Sequence, residues 1–185
     1  VTVHCTVTRQ QVNRPGYIEE FLRFWSARDE IKKIWFSLYT PQIGEMSPER
    51  LTAADRARVI ADLTALRARY PKLEAPEGVL ESYATPPNSP DECVFARTTT
   101  SVSADLKTLI TPCQFGGNPD CSYCGCLASA ALAAVGRHQL FGFVPVGSLF
   151  TGSVKVGETV RRLRPAPRQA RGGSSWRQAR RARRR

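Results

Sequence analysis

Four cysteines lie within the fourteen residues from Cys113 to Cys126, and a fifth, Cys93, lies twenty residues upstream. Three glycines and a proline lie among them, so the backbone there can turn tightly around a central point. Thiolate sulfur is a soft donor, and four such donors suit either a zinc ion or an iron–sulfur cluster. The spacing therefore predicts a loop folded around a metal centre.

Three interpretations of these cysteines remain open. Zinc ribbons use two well-separated Cys-x-x-Cys pairs, whereas this segment has one, Cys121 and Cys124. The six cysteines of the chain could form three disulfides, although a Cys-x-x-Cys-x-Cys run leaves little room for bridging. We predict an iron–sulfur cluster, because an expected β-hairpin would carry one cysteine at each end.

Five cysteines compete for the four positions of such a site. The predicted ligands are Cys93, Cys113, Cys121, Cys124 and Cys126. Because Cys124 and Cys126 are only two residues apart, we expect Cys126 to be the spare, with Cys121 as the other candidate. The sixth cysteine, Cys5, lies in a predicted strand and is expected to be a small core residue.

Residues 1–84 alternate between strand and helix patterns. Strands are predicted at residues 1–9 and 34–39, and helices after Pro15-Gly16 and after Thr52. Asp55 follows Thr52 at the spacing of a capping box. An extended piece at 73–75 and a short helix at 79–83 complete a β-α-β-α-β-α order, which is typical of a parallel sheet with outer helices. The arginines of the second long helix are expected to face water: Arg56, Arg58, Arg67 and Arg69.

The pattern changes at Pro86–Pro90, a predicted loop and module boundary. Residues 94–102 and 106–111 are predicted to pair as the β-hairpin that leads into the cysteine loop. An alanine-rich helix is predicted over 127–135, with Gly136 as its C-terminal cap. Residues 141–156 suit either a strand or a loop.

The net charge of +11 resides in the C-terminal end of the chain. Residues 161–185 contain eleven arginines and no acidic residue, so residues 1–160 are neutral overall. We therefore predict a disordered basic tail, and expect no nucleic-acid binding beyond nonspecific contacts of that tail. No eighteen-residue apolar run or signal peptide occurs, so we expect a cytoplasmic protein without a membrane span.

The cysteine segment, with its hairpin and the run Gly116–Cys126, resembles the C-terminal half of radical S-adenosylmethionine proteins that carry a SPASM- or twitch-type auxiliary cluster. The resemblance implies an α/β fold with three parts. Residues 1–85 would be the C-terminal part of a (β/α) barrel, 86–156 an auxiliary [4Fe–4S] domain of hairpin and helix, and 157–185 the disordered arginine-rich tail.

That family binds a second cluster through a Cys-x-x-x-Cys-x-x-Cys loop, which does not occur in this sequence. We therefore expect a fragment of a radical S-adenosylmethionine oxidoreductase, or a remnant, that does not generate a radical alone. The alternative is a non-catalytic module that holds zinc or a cluster for structure.

The resemblance also implies a cofactor cleft at the carboxyl ends of the barrel strands. Thr6, Thr8, Arg9 and Ser37 would face S-adenosylmethionine there, with Tyr39 and Gln42 beside Ser37. Arg9 would pair with the methionine carboxylate. An electron donor such as a ferredoxin or flavodoxin would be a partner, and the substrate, a small molecule or peptide, is not identified by the sequence. The two histidines, His4 and His138, lack metal-ligand spacing and are expected to be structural or exposed.

Overall fold

The computed structural model describes residues 1–140 and 144–163. Two parallel strands form its central sheet, β1 (Thr2–Val7) and β2 (Lys33–Leu38). Val3 lies opposite Ile34 and Val7 opposite Leu38, and Leu73 adds an isolated parallel bridge to Ile34. The parallel pairing predicted from the order of elements is confirmed, and the strands of the described residues form small sheets and no closed barrel.

Four helices accompany this sheet: α1 (Arg9–Val12), α2 (Tyr17–Ser26), α3 (Ala53–Leu66) and α4 (Glu77–Ala84). The side chains of α2 at four-residue spacing, Ile18 and Leu22, are buried against the sheet. One sheet face carries Cys5, Phe36 and other buried apolar side chains. Thr2, His4 and Thr6 of β1 alternate with these buried residues and are exposed.

The start of α3 shows the predicted capping box. The Asp55 amide donates to Thr52 Oγ1 over 3.1 Å, and the Thr52 amide donates to Asp55 Oδ2 over 3.0 Å. Both contacts satisfy amides that the first helical turn leaves without an intrahelical acceptor. The predicted cap is therefore confirmed at both residues.

Thr52→Ala is expected to lower the free energy of unfolding by about 1 kcal/mol, because the Asp55 amide loses its acceptor. Thr64→Ala is the control, since Thr64 lies in the same helix and its exposed hydroxyl donates to the Ile60 carbonyl. We expect the control to change stability by less than about 0.5 kcal/mol. Urea denaturation measures both, and equal losses would contradict the capping role.

After α4 the elements are shorter. They are α5 (Val94–Thr98), β3 (Ser101–Val102), β4 (Leu109–Ile110), a 3₁₀ turn (Cys121–Tyr123), α6 (Leu127–Arg137), β5 (Gln139–Leu140), β6 (Val144–Pro145) and α7 (Val146–Leu163). The pairs β3–β4 and β5–β6 are antiparallel. Residues 1–154 form one compact unit, which contains the predicted boundary at 85–86. Residues 155–185 form a second unit, described only as far as Leu163.

The predicted hairpin is wrong over its first part. Residues 94–98 are helical, and only Ser101–Val102 pairs with Leu109–Ile110. The Arg97 amide donates to the Cys93 carbonyl, and the Thr98 and Thr99 hydroxyls donate to carbonyls four residues earlier. The backbone contact closes a helical turn, in which the two hydroxyl contacts are accommodated, despite the β-branched residues that predicted a strand.

Two further predictions near the C-terminus are corrected. Gly136 lies inside α6 instead of after it. Its backbone approaches Gly147 closely, because a Cβ added to Gly147 would lie 2.9 Å from the Gly136 carbonyl oxygen. These glycines permit a close approach of two backbones.

Residues 146–163 are helical, so 157–163 of the predicted disordered tail belong to α7. Apolar residues such as Val146, Phe150 and Val154 recur at four-residue intervals, a helical period that the glycines obscured. Residues 164–185 lie outside the described residues.

Candidate metal centre

Five of the six cysteines line a single pocket of about 20 Å³. They are Cys93, Cys113, Cys121, Cys124 and Cys126, the five predicted ligands. Cys93 precedes α5, Cys113 follows the β3–β4 hairpin, and the other three lie on the loop leading into α6. All five are free thiols in the structure, and apolar side chains that include Phe95 and Phe115 complete the wall. The fold thus brings together soft donors from three separate segments.

Burial raises the pKa of three of the pocket thiols. It raises the pKa of Cys124 to about 11, and the neighbouring thiols of Cys126, Cys93 and Cys121 act in the same direction when they ionise. Burial likewise raises the pKa of Cys121 and of Cys126. Because several thiolates in one pocket would repel one another, they need a cation among them to persist at neutral pH.

Polar groups surround two of the sulfurs. Gln114 Nε2 donates to Cys126 Sγ over 3.1 Å, and the Ser129 amide points at the same sulfur over 3.5 Å. The Ser129 hydroxyl contacts Cys93 Sγ at 3.2 Å. Cys126 is also the N-cap of α6, where the helix dipole favours negative charge. These contacts favour Cys126 as a ligand, in contrast to its expected place as the spare.

The thiols surround the pocket without meeting at one point. Among the residues described, no group of three or more His, Cys, Asp or Glu side chains is placed to hold a single metal ion. Sulfurs around one tetrahedral zinc lie about 3.8 Å apart, as Zn–S bonds of about 2.3 Å require. The described conformation therefore does not present the thiols at the spacing that a single zinc ion needs.

Arg56 holds the cysteine loop in place through hydrogen bonds to its main chain. The sequence did not indicate this role. Its prediction as a water-facing residue is wrong, because it is only 7% exposed. Arg56 Nη1 donates to the Tyr123 carbonyl over 2.9 Å, and Nη2 donates to the carbonyls of Tyr83 (2.9 Å) and Cys124 (3.0 Å). Burial lowers the pKa of Arg56, and an ionised Cys124 thiolate opposes that effect. No local sequence pattern marks Arg56, since its acceptors on the loop are 67 and 68 residues away.

The loop also pairs with the end of β2 through its backbone. The Leu38 amide donates to the Gly125 carbonyl over 3.0 Å, and the Gly125 amide donates to Thr40 Oγ1 over 2.9 Å. A Cβ built on Gly125 would lie 2.0 Å from the Leu38 carbonyl oxygen. This position therefore requires glycine, and it fixes the backbone between Cys124 and Cys126.

Side chains outside the loop hold its other end. Arg50 Nη2 pairs with Asp120 Oδ2 at 2.8 Å, and its guanidinium lies 4.7 Å from the centre of the Tyr123 ring. Gln42 Oε1 accepts from the Asn118 amide over 2.7 Å. The first half of the chain thus positions the cysteine loop by long-range contacts.

The predicted S-adenosylmethionine residues occupy the carboxyl ends of β1 and β2. Thr6 is exposed and lies opposite the buried Ser37 in the parallel register. Ser37 Oγ shares a 2.7 Å hydrogen bond with His4 Nε2. Thr8 is the N-cap of α1, and its amide donates to Gln11 Oε1 over 2.6 Å.

Two more of the predicted cleft residues already have partners. Arg9 Nε lies 3.4 Å from Asp55 Oδ2, and the Tyr39 hydroxyl donates to Glu45 Oε1 over 2.5 Å. An incoming carboxylate would have to compete with Asp55 for Arg9. The assignment of Thr6, Thr8, Arg9 and Ser37 to cofactor binding therefore stays a prediction.

The residues assigned no metal role lie away from the pocket walls. Cys5 is buried in the core, as predicted, where burial raises its pKa to about 11. His138 is exposed and is the C-cap of α6. His4 is exposed on the open sheet face beside Ser37.

Comparisons with protein-family models, with curated proteins and with solved structures find no match to this chain. Among residues 1–140 and 144–163, no helix combines the length and the apolar character needed to cross a bilayer.

Proposed function

We propose that this chain is part of a radical S-adenosylmethionine oxidoreductase and that the five-cysteine pocket binds its auxiliary [4Fe–4S] cluster. The observation that carries the proposal is the gathering of Cys93 with the four loop cysteines around one pocket. Three separate segments of the chain contribute cysteines to the walls of this pocket. The four ligand positions would be filled from these five residues.

The donor set fits an iron–sulfur cluster by its chemistry. All donors are thiols, the pocket walls are largely apolar, and amide and side-chain donors reach Cys126 Sγ. When bound, such a cluster supplies one-electron transfer or a coordination site for substrate. The surrounding residues would exclude water, orient the ligand thiolates and set the potential through hydrogen bonds.

S-adenosylmethionine would belong to the complete enzyme. The exposed side chains of β1 give the sheet one open polar face, which suits a cleft wall. Because the Cys-x-x-x-Cys-x-x-Cys loop does not occur in this sequence, we propose no radical chemistry for the chain alone.

A structural zinc site is the second candidate, because one tetrahedral zinc ion needs four thiolates and the pocket offers five cysteines. Zinc would require at least three thiols to converge further than they do here.

Anaerobic reconstitution of the full chain with iron and sulfide, with zinc offered in a parallel sample, tests the proposal. We expect about four irons per chain and an electron paramagnetic resonance signal after reduction. Stoichiometric zinc without iron uptake would replace the proposal with the structural module. Uptake of neither metal would remove both.

A further inference from the structure

Arg56 is a buried cation that forms no ion pair with a carboxylate among the described residues. Its guanidinium contacts three main-chain carbonyls, and it takes part in none of the ion pairs among the described residues. Asp120 acts electrostatically on Arg56, but its carboxylate is paired with Arg50 at 2.8 Å. The positive charge of Arg56 is therefore hydrogen-bonded without a carboxylate of its own among the described residues.

Carbonyl dipoles offset only part of the cost of this burial. Tyr83 lies in the last turn of α4, where the helix dipole is negative, so its carbonyl is a favourable acceptor. A guanidinium does not lose its proton in a protein, and a buried ion without a counter-charge costs several kcal/mol.

We propose that Arg56 is the counter-ion of an anionic metal–thiolate centre in the five-cysteine pocket. The inference rests on the proposed function. Four thiolates outweigh the positive charge of Zn²⁺ or of an oxidised [4Fe–4S]²⁺ core, so either centre is a net anion. Arg56 donates to the main-chain carbonyl of Cys124 over 3.0 Å, so its charge lies beside a residue whose sulfur is a proposed ligand.

Arg56 would act in two ways as a positioning residue. Its guanidinium donates to the Tyr123 and Cys124 carbonyls, and these hydrogen bonds fix the orientation of Cys124 toward the pocket. Its charge would stabilise the more negative, reduced form of a cluster and so raise the reduction potential. A purely structural role would affect loading and stability but would leave the potential unchanged.

Redox titration of the reconstituted full chain, followed by electron paramagnetic resonance, tests this charge effect. Arg56→Gln should lower the reduced-to-oxidised ratio about tenfold at a fixed potential, or about 59 mV for one electron. This is the order expected for a unit charge about 10 Å away at an effective dielectric of about 20. Arg56→Lys should stay within about threefold of wild type, because it keeps the charge.

Arg58→Gln is the matched control, since it removes the same charge from an exposed position of α3. It should change the ratio less than about twofold because exposed charges are screened. A potential in Arg56→Gln equal to wild type would overturn the inference. So would a shift of equal size in Arg58→Gln.

Titration with Co²⁺ separates this inference from the proposed function. If the wild type takes up no cluster but binds Co²⁺ through thiolates, the iron–sulfur proposal fails and the Co²⁺ affinity decides the role of Arg56. Arg56→Gln should then bind Co²⁺ about tenfold more weakly, with Arg58→Gln unchanged.

If Arg56→Gln does not fold, Arg56→Lys decides. A tenfold loss of affinity in Arg56→Lys would assign the effect to the hydrogen bonds of the guanidinium and overturn the charge role. Failure of the wild type to bind either centre would overturn both proposals.

Discussion

Replacement of Cys124 by alanine is expected to abolish metal uptake, whereas replacement of Cys5 is expected to leave it intact. Cys124 lines the pocket and lies between two main-chain anchors, the Arg56 contact and the Gly125 pairing with β2. Cys5 is a buried thiol of the same kind, but it lies in the core of the sheet.

Iron and sulfide content after reconstitution measures the effect, and Cys124→Ser tests it without a change of shape. We expect less than about a tenth of the wild-type iron in either Cys124 variant, because three thiols of a tetrahedral set bind far more weakly than four. Cys5→Ala should retain full loading and lose about 1 kcal/mol of stability. Wild-type loading in Cys124→Ala would require the spare cysteine to take its place.

The same assay identifies the spare cysteine. Cys126 accepts hydrogen bonds from Gln114 and Ser129, while Cys121 lies half-buried in a 3₁₀ turn. We therefore expect Cys126→Ala to lose the metal and Cys121→Ala to retain most of it. The reverse order would restore the expectation from sequence spacing.

Features coded by neighbouring residues were predicted correctly from the sequence. The Thr52–Asp55 capping box is a contact across three residues. The five pocket cysteines were identified because their chemistry is rare and four of them are close in sequence. Parallel pairing of β1 and β2 follows from the helix between them.

Features decided by distant contacts were missed. The pattern of its own helix predicts that Arg56 faces water, but its hydrogen-bond acceptors, the carbonyls of Tyr83, Tyr123 and Cys124, are distant in sequence. One local feature was missed as well: residues 94–98 have a strand-like composition, but the Arg97 amide donates to the Cys93 carbonyl in a helical turn. Gly136 was interpreted as a helix end because its role, contact with Gly147, cannot be seen from either residue alone.

Gly125→Ala is expected to detach the cysteine loop from β2. The added Cβ would lie 2.0 Å from the Leu38 carbonyl oxygen and 2.5 Å from the Leu38 Cβ. Leu38 is 1% exposed in the core, so the strand has no room to yield and the loop must move instead. Both the Leu38–Gly125 and Gly125–Thr40 hydrogen bonds would then be lost.

We expect Gly125→Ala to lower the free energy of unfolding of the metal-free chain by about 3 kcal/mol and to prevent cluster loading. Urea denaturation and iron analysis measure the two effects. Gly152→Ala is the control, because Gly152 lies in α7 and a Cβ added there would meet no neighbouring atom within 4 Å. That change should raise stability by about 0.5 to 1 kcal/mol and leave loading unchanged. Since Cys124 and Cys126 flank Gly125, normal loading in Gly125→Ala would mean that the pairing with β2 does not position the ligands.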